Sequence, residues 1–372
     1  MIKAGAEGTV KQEYIGVILP DGIYQVLLKG QNQINVSAYQ AAGEHYHLIP
    51  FFMRLRSIKP GVDQVKGFVK TEGKYKLKTI PIPKVIYTRS FLSKRQIHFL
   101  EKRNIQFYNK KGIGHNKWNM HQIISENPEL QAFLPKTVKG TIENLRIMMN
   151  QHNHLILKPA TGSLGGGIMK LSKDNFGTWV LNYPLARKQW SQVNFKDEIP
   201  PYITEIFSKK QYIIQERIEL ATYNERPFDL RVVVQRNHTG NWVLAGILCK
   251  VSPLKEQFVT NISQGGRSLS FDSVLKGHPS LSYSQVYDDI SQLTLKLAIH
   301  LEKYTEHIAD IAFDIALNKE GHPYFIESNF RGRYGNMRYK GKRYEEWKAK
   351  HFNPIGYGRF LIDRIGKQHG AS

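Results

Sequence analysis

Two short apolar runs near the end of the chain, residues 311–317 and 324–329, constrain it more than any other feature. Each carries acidic or amide groups where a buried strand normally has none: Asp314 in Ile311-Ala312-Phe313-Asp314-Ile315, then Glu327 and Asn329 in Phe325-Ile326-Glu327-Ser328-Asn329. A turn over residues 319–322 makes the runs an antiparallel hairpin with Asp314 directly opposite Glu327. Period-two alternation then puts Asn329 on the face of Glu327. Two carboxylates facing each other inside a buried sheet repel and are costly to desolvate, so the hairpin needs a cation. Three hard oxygen donors on a rigid surface suit Mg²⁺, one ion or two, with Mn²⁺ as an alternative. The competing solution is neutralisation by arginines such as Arg231 or Arg267.

A second group of residues has the chemistry of an anion cradle. Lys158-Pro159-Ala160-Thr161-Gly162-Ser163-Leu164-Gly165-Gly166-Gly167 lies between two β-rich runs, 154–158 and 168–172. Gly162, Gly165, Gly166 and Gly167 let the backbone bend close over an anion with its N–H groups pointing inward. Lys158 sets a cation beside the loop. The loop lacks the Gly-Lys-Ser/Thr ending of a Walker A loop, and a strand rather than a helix follows it. A flexible hairpin tip is the plainer alternative.

Two further runs complete the set. Ile213-Ile214-Gln215-Glu216-Arg217-Ile218-Glu219 begins as an apolar strand and emerges into polar residues, offering backbone groups to an adenine edge and a carboxylate to ribose. In Asp229-Leu230-Arg231 an arginine sits on an alternating strand, and Asn261-Ile262-Ser263-Gln264-Gly265-Gly266-Arg267 follows. An inward arginine and an asparagine beside a Gly-Gly turn suit a phosphoryl group in transfer.

In this order the motifs, with Asn116-Lys117 opening a helix ahead of them, resemble the ATP-grasp superfamily over about residues 112–330. The resemblance implies an α/β (α+β) fold, two α+β subdomains gripping ATP. It also implies that Lys117 and Lys158 meet the phosphates, and that Ser163 and the glycines after it form a mobile lid. Gln215, Glu216 and Ile218 would lie at the adenine hinge, with Glu219 on ribose. Asp314, Glu327 and Asn329 would hold Mg²⁺, and Arg231, Asn261 and Arg267 would serve the transferring phosphoryl group. More narrowly, the chain resembles the YheC/YheD group of spore-coat-associated ATP-grasp proteins. The residues that carry this are Val85-Ile86-Tyr87-Thr88-Arg89, Gly114-His115-Asn116-Lys117-Trp118, Arg226-Pro227-Phe228-Asp229-Leu230-Arg231, and Asn261 through Gly266. Related ligases that add glutamate to proteins or peptides carry an arginine two residues before the asparagine, where this chain has Val259. Lys255, Arg267 or a basic residue near the C-terminus is then the substitute. The implied activity is carboxylate–amine ligation through an acyl phosphate, with a non-catalytic spore-coat role as the alternative.

Charge placement adds a partner. Residues 54–111 carry 16 basic against 3 acidic residues and residues 331–372 carry 11 against 3, while 112–330 are nearly balanced at 23 against 21. Such flanks attract an acidic small molecule, peptide or polymer, or a nucleic acid. The expected organisation is a β-rich segment (1–58), a basic α/β unit (59–111), the ATP-grasp domain (112–330) and a basic tail (331–372). Within it, residues 14–28 read as a hairpin turning at Pro20-Asp21-Gly22, 31–58 as short strands, and 59–84 as loop. A β-α-β unit follows over 84–108. Helices are expected at 116–125, 141–151 and 284–304, and strands at 212–216, 230–236 and 242–251. Cys249, the single cysteine, reads as core filler in a reducing compartment. No stretch approaches the ~20 apolar residues of a membrane span. The expected location is cytoplasmic, with spore-coat association implied by the resemblance. Zinc-hydrolase and serine-hydrolase motifs are absent.

Overall fold

The computed structural model describes residues 13–31, 33–88, 90, 92–110, 116–162, 166–185, 189–255, 260, 265–330 and 342–369. They build three sheets of six strands each, every sheet with its own apolar packing.

The first sheet holds β1 (Glu13–Ile18), β2 (Leu48–Met53), β3 (Gln64–Thr71), β4 (Lys74–Pro81), β5 (Val85–Thr88) and β6 (Gln106–Tyr108), in the order β4-β3-β2-β1-β5-β6. β1 pairs in parallel with both β2 and β5. A parallel pair needs a crossover rather than a tight turn. The segment after β1 is therefore not the return strand of a hairpin, as the turn chemistry suggested. It is helix α1 (Asp21–Leu28), followed by α2 (Ile34–His45). Pro20 stands at the N-cap of α1, Asp21 complements its first turn, and Tyr24 and Leu27 are buried on one face. Among the described residues of 31–58, only β2 is a strand. The expected basic loop over 59–84 is largely the β3–β4 hairpin, paired through eight residues on each strand; its alternation is hidden by lysines. The β-α-β unit is present as β5, α3 (Lys94–Glu101) and β6, with Ser93 and Gln96 forming the capping box of α3. Strands from both sides of residue 58 share this sheet.

The second sheet is antiparallel: β7 (Thr137–Lys139), β8 (His154–Pro159), β9 (Met169–Lys173), β10 (Trp179–Pro184), β11 (Trp190–Phe195) and β12 (Tyr212–Glu216), ordered β11-β10-β9-β8-β12-β7. Helices α6 (Ile142–Gln151) and α7 (Pro201–Lys209) cover it, while α4 (Lys117–Ser125) and α5 (Pro128–Gln131) bury Met120, Ile124 and Leu130 in the core of the third sheet. Leu155, Leu157, Leu171, Leu181 and Ile214 alternate onto the face covered by α6 and α7. Lys158 and Gln215 therefore point the other way.

The third sheet joins β13 (Thr222–Tyr223), β14 (Arg226–Arg236), β15 (Trp242–Val251), β16 (Arg267–Ser270), β17 (Asp310–Leu317) and β18 (Pro323–Asn329), with α8 (Phe271–Leu275) and α9 (Tyr283–Glu302) against one face. Leu230, Val232, Phe313 and Ile315 line that face. The opposite face carries the small apolar cluster Val233, Ala245 and Ala312 and is otherwise largely polar.

Residues 342–369, read from sequence as tail, form helix α10 (Lys342–His369), which packs on the first sheet through Ile355, Tyr357, Leu361 and Ile362. Pro354 lies inside it and has no N–H for the carbonyl one turn back. That carbonyl, of Lys350, instead accepts from Gln235 Nε2 at 3.3 Å, so the break in the helix ladder ties α10 to β14.

Candidate functional site

β12 leads out of the second sheet, and the chain enters the third through the bridge between Leu220 and Asn318. The polar faces of the two sheets meet beside this crossing. Burial raises the pKa of Tyr324, on β18, and so does the charge of Glu216 on β12. Lys158, on β8, feels Glu327 on β18.

On the second sheet, Lys158 is buried and donates from Nζ to Gln215 Oε1 at 2.8 Å. Gln215 Nε2 in turn donates to Thr137 Oγ1 at 2.8 Å. Burial, and then the nearby Lys117, lower the Lys158 pKa to about 8. Asn116 caps α4 by accepting from the N–H groups of Trp118 and Asn119. The Lys117 N–H donates to Ala160 O at 2.7 Å, and its Nζ to Gly162 O at 3.0 Å. Both lysines thus stand at the glycine loop, whose Gly162 and Gly167 have φ of +136° and +74°. Gly166 lies in the same turn; Ser163 and Gly165 lie outside the described residues. Glu216 is tied to Lys136 at both ends, its backbone N–H donating to the Lys136 carbonyl and Oε1 accepting from the Lys136 N–H, each at 2.9 Å. Ile218 follows at the half-buried exit of the strand. Glu219 is exposed and pairs with Lys319 at 2.8 Å.

On the third sheet, Asp229 faces Lys250, Arg231 faces Asp314, Asp314 faces Glu327, and Ala312 faces Asn329. Alternation turns Asp229, Arg231, Lys250, Asp314, Glu327 and Asn329 to one side. The Arg231 guanidinium donates from Nε and Nη2 to the two oxygens of Asp314, both at 2.8 Å. Lys250 Nζ lies 3.1 Å from Asp229 and 3.3 Å from Asp314. Thr260 Oγ1 donates to Asp229 Oδ2 at 2.7 Å, pinning the chain one residue before Asn261, which lies outside the described residues. Burial works against the Asp314 charge, but Lys250 and Arg231 outweigh it and its pKa is lowered. Burial raises that of Asp229, whose one lysine is shared with Asp314. Arg267 faces Val251 across the β15–β16 pair, one residue out of phase with Lys250, and is not brought into this group.

Asp314 is therefore neutralised by Arg231, the solution that competes with a metal. A carboxylate has about four lone-pair positions; the guanidinium and Lys250 use three, leaving one on Oδ1. Arg231 and Lys250 stand against the carboxylates of Asp229 and Asp314, and Lys158 on the second sheet feels Glu327. The Asn329 side-chain nitrogen is buried with no hydrogen-bond partner among the described residues. Two carboxylates and an amide oxygen suit a hard cation that completes its shell elsewhere. Among the described residues no three His, Cys, Asp or Glu side chains gather as a cation site. Lys250 was missed in sequence. Its signal is a lone cation in the otherwise apolar run 242–251.

A glycine loop and Lys158 on one antiparallel sheet, Lys117 opening the helix beside that loop, and an acidic cluster on a second sheet are the arrangement of an ATP-grasp protein. The fold is similar to that of the ATP-grasp ligase PsnB complexed with a phosphomimetic variant of its minimal precursor, Mg and ADP, at a TM-score of 0.50 and 13% identity, covering 95% of this chain and 99% of that one. The YheC/D-like ATP-grasp family model matches residues 104–361, and the chain belongs to that family. It is 25% identical over 280 residues to the endospore coat-associated protein YheD of Bacillus subtilis (strain 168), covering 72% of this chain but 60% of that protein. It is 24% identical over 279 residues to YheC of the same organism, covering 71% and 75%. Among the described residues no helix is long and apolar enough to cross a membrane.

Proposed function

We propose that the protein is an ATP-dependent carboxylate–amine ligase. The observation that supports this is Lys158, beside Lys117 at the glycine loop, lying within the field of Glu327 on the third sheet, because a triphosphate held by the lysines then reaches toward the acidic cluster. Lys117, Lys158 and the glycine-loop amides hold the phosphates, and the β12 exit at Glu216–Ile218 borders the adenine. Asp314, Glu327 and Asn329 would hold Mg²⁺, which supplies charge neutralisation between the phosphates. Arg231 and Lys250 oppose the charge that develops on the γ-phosphoryl group. A substrate carboxylate oxygen attacks that phosphorus and the bond to ADP breaks, giving an acyl phosphate. An amine then attacks the acyl carbon, phosphate leaves with the C–O electron pair, and the amine proton passes to solvent or phosphate. The residues act by position and charge, with no covalent enzyme intermediate.

The test is ADP release measured with Mg-ATP against a panel of acids and amines. The expected result is turnover that needs both partners and is lost in Glu327→Gln with the fold retained. Tight nucleotide binding without turnover for any pair would show that the site binds ATP for another purpose.

A further inference from the structure

β4 is the outer edge of the first sheet and, among the described residues, pairs only with β3. Alternation puts Lys74, Lys76 and Lys78 on one side of this edge and Tyr75 and Leu77 on the other. All three lysines are exposed, and Leu77 is 41% exposed. Same-side positions on an antiparallel strand repeat about every 6.8 Å. Lys76 has a carboxylate in reach, that of Glu72 at 2.7 Å. Among the described residues neither Lys74 nor Lys78 forms an ion pair.

Lysines on an edge strand keep it from pairing with a like edge. A second copy of this chain would bring lysine against lysine here, so self-association is the one pairing the row opposes. A strand with carboxylates at alternate positions meets the opposite field. It also satisfies the outward N–H and C=O groups of β4, which neither a nucleic acid nor a polysaccharide does in a regular ladder.

We propose that β4 is a docking edge for an acidic, extended polypeptide segment that adds to the first sheet as a further strand. Its carboxylates lie at alternate positions opposite Lys74, Lys76 and Lys78, and apolar residues between them cover Tyr75 and Leu77. Cross-strand pairs of opposite charge and of apolar groups set the register. The edge belongs to a different sheet from the candidate nucleotide site, so this docking does not rest on the ligase proposal.

The test uses the full chain and fluorescence anisotropy with labelled peptides as long as the eight-residue strand. One peptide alternates Glu and Val. A second has the same charge with prolines in place of the valines. An oligothymidylate of equal charge is the third probe. The Glu-Val peptide is expected to bind, more weakly as salt rises, and to lose at least about tenfold in affinity with the Lys74→Glu/Lys76→Glu/Lys78→Glu protein. A Lys-Val peptide is expected to bind that variant in its place, which also shows the variant edge to be folded. Absence of Glu-Val binding, equal binding by the variant, or binding of the proline peptide or the oligothymidylate as tight as that of the Glu-Val peptide would overturn the proposal.

Discussion

The guanidinium of Arg231 grips the carboxylate of Asp314 through two hydrogen bonds of 2.8 Å, from adjacent strands and inside a largely buried polar face. Removing one partner of such a pair leaves the other charge without compensation. Asp314→Asn is expected to destabilise the protein by about 3 kcal/mol, read as a lower urea midpoint. The double variant Asp314→Asn/Arg231→Met should recover part of that loss. An Asp314→Asn protein as stable as the parent would mean the pair contributes nothing to folding.

Lys158 carries a second expectation, because burial and then Lys117 depress its pKa from 10.5 to about 8. Between those values the unfolded chain holds the proton and the folded chain does not, so this lysine makes stability rise with pH over about pH 8 to 10.5. A phosphate beside it favours the charged form. Nucleotide binding at pH 9 should therefore take up close to one proton, measured as a dependence of binding heat on buffer ionisation enthalpy. Lys158→Met should abolish the uptake.

His307 behaves in a different window. Burial, with Arg236, Lys110 and Arg364 nearby, lowers its pKa from 6.5 to about 4, and its Nε2 lies 3.0 Å from the Tyr357 hydroxyl. Between pH 6.5 and 4 the unfolded state binds the proton that the folded state refuses. The contribution of neutral His307 is thus complete above pH 6.5 and lost as pH falls toward 4, by about 3 kcal/mol in all and about 2 kcal/mol between pH 7 and pH 5. Urea unfolding at pH 7 and pH 5 should show a smaller difference for His307→Gln than for the parent.

Gly358 tests the seat of α10. A Cβ there would come within 2.1 Å of Ile15 Cδ1 and 3.4 Å of the Tyr108 hydroxyl. Gly358→Ala is expected to cost about 1–3 kcal/mol through overpacking, seen as a lower melting temperature. Gly366→Ala, on the same helix with nothing within 4 Å, should leave it unchanged or higher.

Much of the fold was legible where the signal is local. Thr141 caps α6 by accepting from the Asn144 N–H at 3.1 Å, as a hydroxyl before a helical run predicts. β12 matches its expected bounds, because its apolar residues stand between polar ends. The facing of Asp314 and Glu327 was also expected, although the turn differs from the one assumed. Leu317 pairs with Pro323 rather than Tyr324, and a register shift between Asp314 and Ile315 restores the predicted pairing. β10, β11 and α7 were not anticipated.

The amino-acid sequence by itself determined the periodic elements, the glycine loop and the acidic hairpin, since each depends on neighbours a few residues away. Only the tertiary structure decided that residues 21–28 are helix, because that follows from β1 pairing in parallel with β2 rather than from any local turn. It alone set Lys250 between Asp229 and Asp314, and Lys158 within the field of Glu327. Those contacts join strands distant in the chain, and charges acquire their partners only when burial and strand order bring them to one face.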